Sequence, residues 1–206
     1  ACQYILPSVL REFKKEFPKC RLSIEPGDTK EIVESLRANA IDVAVTLEPE
    51  RESDFAFSPL FTDELMFLVN PKHPWAEARR AVRMEIPREQ YILYFRNSRT
   101  FEQIENYFRT EKMVIKSVID MGSMSAIKEL VKLGLGVTIL APWVAQNELT
   151  KKSLVALPLG RRKLKRQWGV LYWKERPMGW AEDTFIKLCQ SGARQFAASN
   201  GLRAHV

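Results

Sequence analysis

Apolar residues recur along this chain at two spacings, and the switching between them predicts its elements. Ile5, Leu6, Val9, Leu10, Phe13 and Phe17 fall at helical spacing, with Lys14, Lys15 and Glu16 elsewhere on the wheel. Pro7 is tolerated only in a first turn, which places the helix start near Gln3 or Tyr4, and Pro18 ends it. In CRLSIEPG, Leu22 and Ile24 alternate with polar neighbours, predicting a short strand stopped by Pro26-Gly27. Asp28 followed by Glu31 reads as an N-cap with its reciprocal partner, opening a helix that buries Ile32, Val33 and Leu36. IDVAVTL (41–47) is continuously apolar after Asp42, as in a parallel strand covered on both faces, and ELMFLVN (64–70) is another strand.

The pattern then restarts. Pro71, Pro74 and Pro87 punctuate a charge-rich, poorly periodic stretch, after which YILYF (91–95) reads as a buried strand. RNSRT leads to a helix carrying Phe101, Ile104, Tyr107 and Phe108; SVIDMG is a strand, and SMSAIKELVKL a helix with Met124, Ile127, Leu130 and Val131 inward. Gly134 suits the left-handed residue past that helix, and Gly136 a close return onto the sheet, so this corner is scaffold. GVTILA is a strand and WVAQNEL a short helix; SLVALPLG and QWGVLYWK are strands flanking RRKLKR. A last helix runs from about Gly179 into the 190s, with Phe185, Leu188, Gly192 and Phe196 on one side, and the tail SNGLRAHV is expected to fray. Two α/β units in series follow, joined near Asn70 to Trp75, with doubly wound sheets and right-handed crossovers; the pattern leaves the final strand and helix open to either unit.

Composition narrows the function classes. The 206 residues fit one or two domains, and no apolar run reaches the about 18 residues of a membrane span, so no membrane partner is expected. The opening ACQYILPSVLREF lacks a basic stretch followed by a long apolar core, and with free cysteines this implies a cytoplasmic protein; Ala rather than Met at the first position fits a trimmed fragment. Cys2, Cys20, Cys189, His73 and His205 are not at metal-ligand spacings, so no metal and no cofactor are expected. His73, in NPKHPW, reads as a solvated loop residue rather than a base. GxSxG, HExxH, GxGxxG and the P-loop pattern do not occur, and the adjacent Asp63 and Glu64 point to opposite faces of a strand; no catalytic residue and no enzyme is expected. The net charge is +7, and five of six residues in RRKLKR (161–166) are cationic. This run reads either as a solvated hairpin loop or as a nucleic-acid contact, although it carries no interleaved aromatics and no recognition helix.

The chemistry points instead to two strand ends. In open α/β sheets ligands settle outside the carboxyl ends of strands, where helix N-termini offer unpaired amides and partial positive charge. RNSRT after YILYF and GSMS after SVIDM both supply such a corner. Asn97, Ser98, Thr100 and Ser123 either cap their helices or meet a ligand; Arg96 is either a surface arginine or an anion contact.

Taken together, YILPSVLREFKKEFP, LSIEPGDTKEIVESLRANAIDVAVT, SPLFTDELMFLVNPKHPWA and AIKELVKLGLGVTILAP resemble, in order over nearly the whole chain, the effector-binding domain of LysR-type transcriptional regulators. The resemblance implies an α/β fold of two Rossmann-like lobes with crossover strands, like type 2 periplasmic binding proteins: residues 1–70 plus 168–206 as lobe I and 71–167 as lobe II. It implies a small, anionic effector in an interlobe cleft, touching Arg96, Asn97, Ser98, Gly122, Ser123 and Met124, and a homodimer or homotetramer. A winged helix-turn-helix and linker helix would precede these residues, so DNA is reached only through that missing N-terminal domain. A first strand would also precede the YILP helix, which leaves Cys2 and Gln3 nearest a further contact region. The alternative is a solute-binding protein of a transport system with the same fold.

Overall fold

A computed structural model describes residues 4–50 and 52–205. They form two compact units, one of residues 1–63 and 166–206, the other of 64–165.

Unit 1 is a sheet clothed on both faces. Its strands are β1 (Val43–Leu47), the first part of β2 (Phe55–Val69), β7 (Leu164–Trp173) from Arg166 onward, and β8 (Arg203–Ala204). β7 lies between β1 and β2, and β8 pairs with β2 beyond it. Helix α2 (Thr29–Arg37) buries Ile32, Val33 and Leu36 against Ala44, Phe55 and Leu171. Asp28 and Glu31 close its first turn as a capping box, the arrangement expected from their spacing. Helices α1 (Leu6–Glu16) and α7 (Trp180–Asn200) form a second cluster in which Ile5 and Val9 meet Phe61, Val170, Ile186, Cys189 and Ala193.

Unit 2 holds the rest of β2 with β3 (Gln90–Tyr94), β4 (Ser117–Met121), β5 (Thr138–Leu140) and β6 (Val155–Pro158). β2 pairs antiparallel with both β5 and β6, β3 and β4 are parallel, and a parallel bridge from Tyr91 to Val137 joins β3 to the start of β5. The order is therefore β4-β3-β5-β2-β6. Helix α5 (Met124–Lys132) covers one face with Ile127 and Val131 against Leu68, Ile92 and Leu140. On the other, Phe67 meets Trp75, Tyr91 and Phe108, the last from α4 (Arg99–Thr110). Short α3 (Pro74–Ala78) and α6 (Gln146–Thr150) complete the helices. Gly134 is left-handed (φ 78°) past α5. At Gly136 a Cβ would lie 2.5 Å from the Gln90 carbonyl oxygen, so close backbone approach requires glycine there.

Several sequence expectations are corrected. Residues 20–28 form no strand, and Leu22 and Ile24 are 41% and 57% exposed; alternation is insufficient where no ladder partner lies among the described residues. The continuous apolarity of β1 reflects cover on both faces, but its pairing with β7 is antiparallel. β2 begins at Phe55, nine residues before ELMFLVN, because Pro59 sits at an exposed position that the sheet tolerates. Phe95 lies beyond its strand and is 52% exposed. His73 caps α3, its Nδ1 accepting the Trp75 N–H at 3.2 Å, with Nε2 3.6 Å from Glu89. Through His205 the tail does not fray: Gly201 ends α7 in a left-handed conformation, β8 pairs with Phe61 and Thr62, and His205 Nε2 lies 2.7 Å from Thr62 Oγ1. RRKLKR is not a solvated hairpin loop. From Leu164 it belongs to β7; Arg162 binds Glu111 at 3.0 Å, Lys163 binds Glu64 at 2.9 Å, and Arg166 is buried against Asp63.

Candidate functional site

The parallel register of β3 and β4 runs from Gln90 opposite Ser117 to Tyr94 opposite Met121. Both strands therefore finish at the same edge, and each leads within a few residues into a helix. Ser98 caps α4, its Oγ accepting the Phe101 N–H at 3.1 Å, and Ser123 caps α5, its Oγ accepting the Ala126 N–H at 3.3 Å. Two helix N-termini thus stand side by side on unit 2.

Six of the eight sequence-predicted residues meet at this corner: Arg96, Asn97 and Ser98 on one turn, Gly122, Ser123 and Met124 on the other. Cys2 and Gln3 lie outside the described residues. The six are not equivalent. Ser98 is 1% exposed and its oxygen is engaged by the cap, whereas Arg96, Asn97, Gly122 and Ser123 are exposed. Arg96 bridges the two turns, donating from Nε to Asp120 Oδ2 at 2.9 Å, while its guanidinium carbon sits 5.7 Å from the Phe101 ring centroid. At Gly122 a Cβ would stand 2.4 Å from Cζ of Phe95, so the exposed Phe95 ring rests directly on this glycine.

Sequence reasoning passed over Phe95 and Asp120. Phe95 was absorbed into an apolar run. Asp120 carried a usable signal, an acidic residue at a strand's carboxyl end opposite a basic one in the partner strand's turn. A cavity of about 190 Å³ runs along α4 in the same unit, walled by Leu93, Phe101, Ile104, Phe108 and Met113, with Arg96 at its rim. Glu105 and Arg109 also line it, so its wall is mixed rather than purely apolar. Among the described residues no group of three or more His, Cys, Asp or Glu side chains could hold a metal ion.

A two-unit α/β chain with strands passing from one unit to the next, and paired helix tips at a strand edge, has the architecture of the type 2 periplasmic-binding-protein-like domains. The family model for the LysR substrate binding domain matches residues 1–194, and the chain belongs to that family. It is similar to the HTH-type transcriptional activator CmpR of Synechocystis, 23% identical over 184 residues that cover 89% of this chain and 60% of the relative. The chain thus spans about 60% of that relative's length. Among solved structures it is similar to the effector binding domain of QuiR in complex with shikimate (TM-score 0.77, 21% identity, 92% of this chain and 90% of that one). It is also similar to the Synechocystis CcmR regulatory domain in complex with 2-PG (TM-score 0.81, 22% identity, 94% and 93%).

Proposed function

We propose that the chain is the effector-sensing part of a LysR-type transcriptional regulator, and that a small anion is held, not transformed, at the tips of α4 and α5. The parallel β3–β4 pair carries the reading, because it brings two helix N-termini to one edge, where first-turn amides favour negative charge. Exposed Ser123 and Asn97 supply polar contacts, and Arg96 supplies a charge that an anion would share with Asp120. The QuiR and CcmR domains, each in complex with a small molecule, support it. The relatives named as transcriptional regulators favour this reading over a transport solute-binding protein. In the whole protein, a cytoplasmic homodimer or homotetramer meets DNA through a domain outside these 206 residues, and the effector shifts its geometry through differential affinity for two states.

Thermal-shift titration with shikimate, inorganic phosphate and short dicarboxylates tests the site. A saturable rise in midpoint is expected with at least one probe, weakened about tenfold by Ser123→Ala, which removes one contact worth about 1.4 kcal/mol. Undiminished binding in Ser123→Ala would remove the assignment.

A further inference from the structure

Asp63 and Arg166 form a buried ion pair between the two longest strands. Arg166 donates from Nε to Asp63 Oδ1 at 2.9 Å and from Nη2 to Oδ2 at 2.6 Å, a bidentate arrangement, and Trp168 Nε1 donates to the same Oδ2 at 3.0 Å. The two side chains are 0% and 6% exposed. Trp168 stacks on Phe61 with ring centroids 6.1 Å apart, and the Arg166 guanidinium carbon lies 5.6 Å from the Trp168 ring.

A pair this deep contributes little net stability, because desolvating both charges offsets their attraction; apolar replacements of similar volume are often neutral or better. Its neighbours point to a different role. From Phe61 to Phe67, β2 alternates, and Phe61, Asp63, Leu65 and Phe67 share the buried side. An apolar residue at position 63 would make that row uniform. Sliding β7 past β2 by two residues would then exchange one apolar contact for another along this row, leaving the close seat of Gly169 on Phe57 and the Ser58 carbonyl, farther along the strands, as the remaining obstacle. With Asp63 and Arg166 present, the same slip strands two buried charges.

We propose that the Asp63–Arg166 pair is a register lock, selecting one alignment of β2 and β7 as a single buried polar residue selects one alignment of a coiled coil. It occupies the residues at which both strands leave unit 1, between Asp63 and Glu64 and between Lys165 and Arg166. The lock does not depend on what the helix tips bind.

The test is the double variant Asp63→Leu/Arg166→Met in the full chain, with Asp63→Asn as a single-site comparison. The double variant is expected to keep or raise the thermal midpoint. Amide hydrogen exchange in residues 61–68 and 164–171 should accelerate by about tenfold or more relative to the rest of the chain. NMR amide resonances of those strands should split into more than one set. Asp63→Asn, which leaves the guanidinium buried beside a neutral partner, should lower the midpoint. A double variant with one resonance set and unchanged exchange would overturn the lock. A lowered midpoint with exchange accelerated evenly throughout would overturn it too, because the pair would then be a plain stability element.

Discussion

Asp120 sets the charge of the helix-tip corner. Its carboxylate neutralises Arg96 across 2.9 Å, in a pair whose side chains are 53% and 37% exposed, so the contact is soft and an anion can compete for it. Asp120→Asn is therefore expected to tighten binding of whichever anion the titration identifies by a few-fold, the equivalent of the about 0.2–1 kcal/mol of an exposed pair, measured by isothermal calorimetry. Weaker binding in that variant would mean that Asp120 itself contacts the ligand. Cys189 presents the opposite case. Packed among Ile5, Val9 and Ala193, its thiol is pushed by burial from 9.0 to about 12. Because the folded value is the higher one, the associated stability is complete below pH 9 and is lost as pH rises toward 12. Burial also raises the phenol of Tyr91, in the same direction. Urea unfolding across the alkaline range should show a shallower loss in Cys189→Ala than in the parent chain. Site-resolved alkylation at neutral pH should modify the half-buried Cys20 and spare Cys189 until the chain unfolds.

Elements were legible where one physical rule acted alone. The capping box at Asp28 and Glu31, the serines before α4 and α5, and the left-handed Gly134 each follow from a local requirement of helix ends. The corner built from Arg96, Ser98, Gly122 and Ser123 was readable for the same reason, since strand-end geometry is encoded in a few adjacent residues. Sheet partners were not. Whether β1 pairs parallel or antiparallel, whether residues 20–28 find a ladder, and that the tail returns to Phe61 and Thr62 are decided by residues over a hundred positions away or by none at all. The ion pairs of Arg162, Lys163 and Arg166 were hidden similarly, because Glu111, Glu64 and Asp63 lie far from them in the chain. The packing of α1 on α7 yields a test of a contact that sequence only hinted at. At Gly192, which fell on the apolar side of the last helix, a Cβ would stand 3.0 Å from Cγ2 of Val9. Gly192→Val should overfill this contact and destabilise unit 1 by about 1–3 kcal/mol in chemical denaturation. An unaltered midpoint would show that the helices part without cost.

At the scale of the whole molecule, the net +7 stands, but the basic run is less available than the sequence suggested, since three of its cations already face carboxylates. The paired part of that run is therefore a poor anchor for a polyanion. Residues 20–28 expose Ile24 at 57% and Leu22 at 41%, and carry no ladder among the described residues. Such a segment presents backbone donors and acceptors, with apolar side chains beside them, to any chain able to pair with it. If the chain assembles as the homo-oligomer proposed above, sedimentation at concentrations on the order of micromolar should show a species larger than one chain, growing with concentration by mass action. Ile24→Glu places a charge in the middle of that segment, at a side chain 57% exposed in the monomer. It should shift the distribution toward single chains while leaving the monomer's unfolding free energy within about 0.5 kcal/mol of the parent in chemical denaturation, as an exposed substitution does. A chain monomeric at every concentration would remove the oligomer from the proposal. A variant that associates as well as the parent would keep the oligomer but move its contact away from residues 20–28.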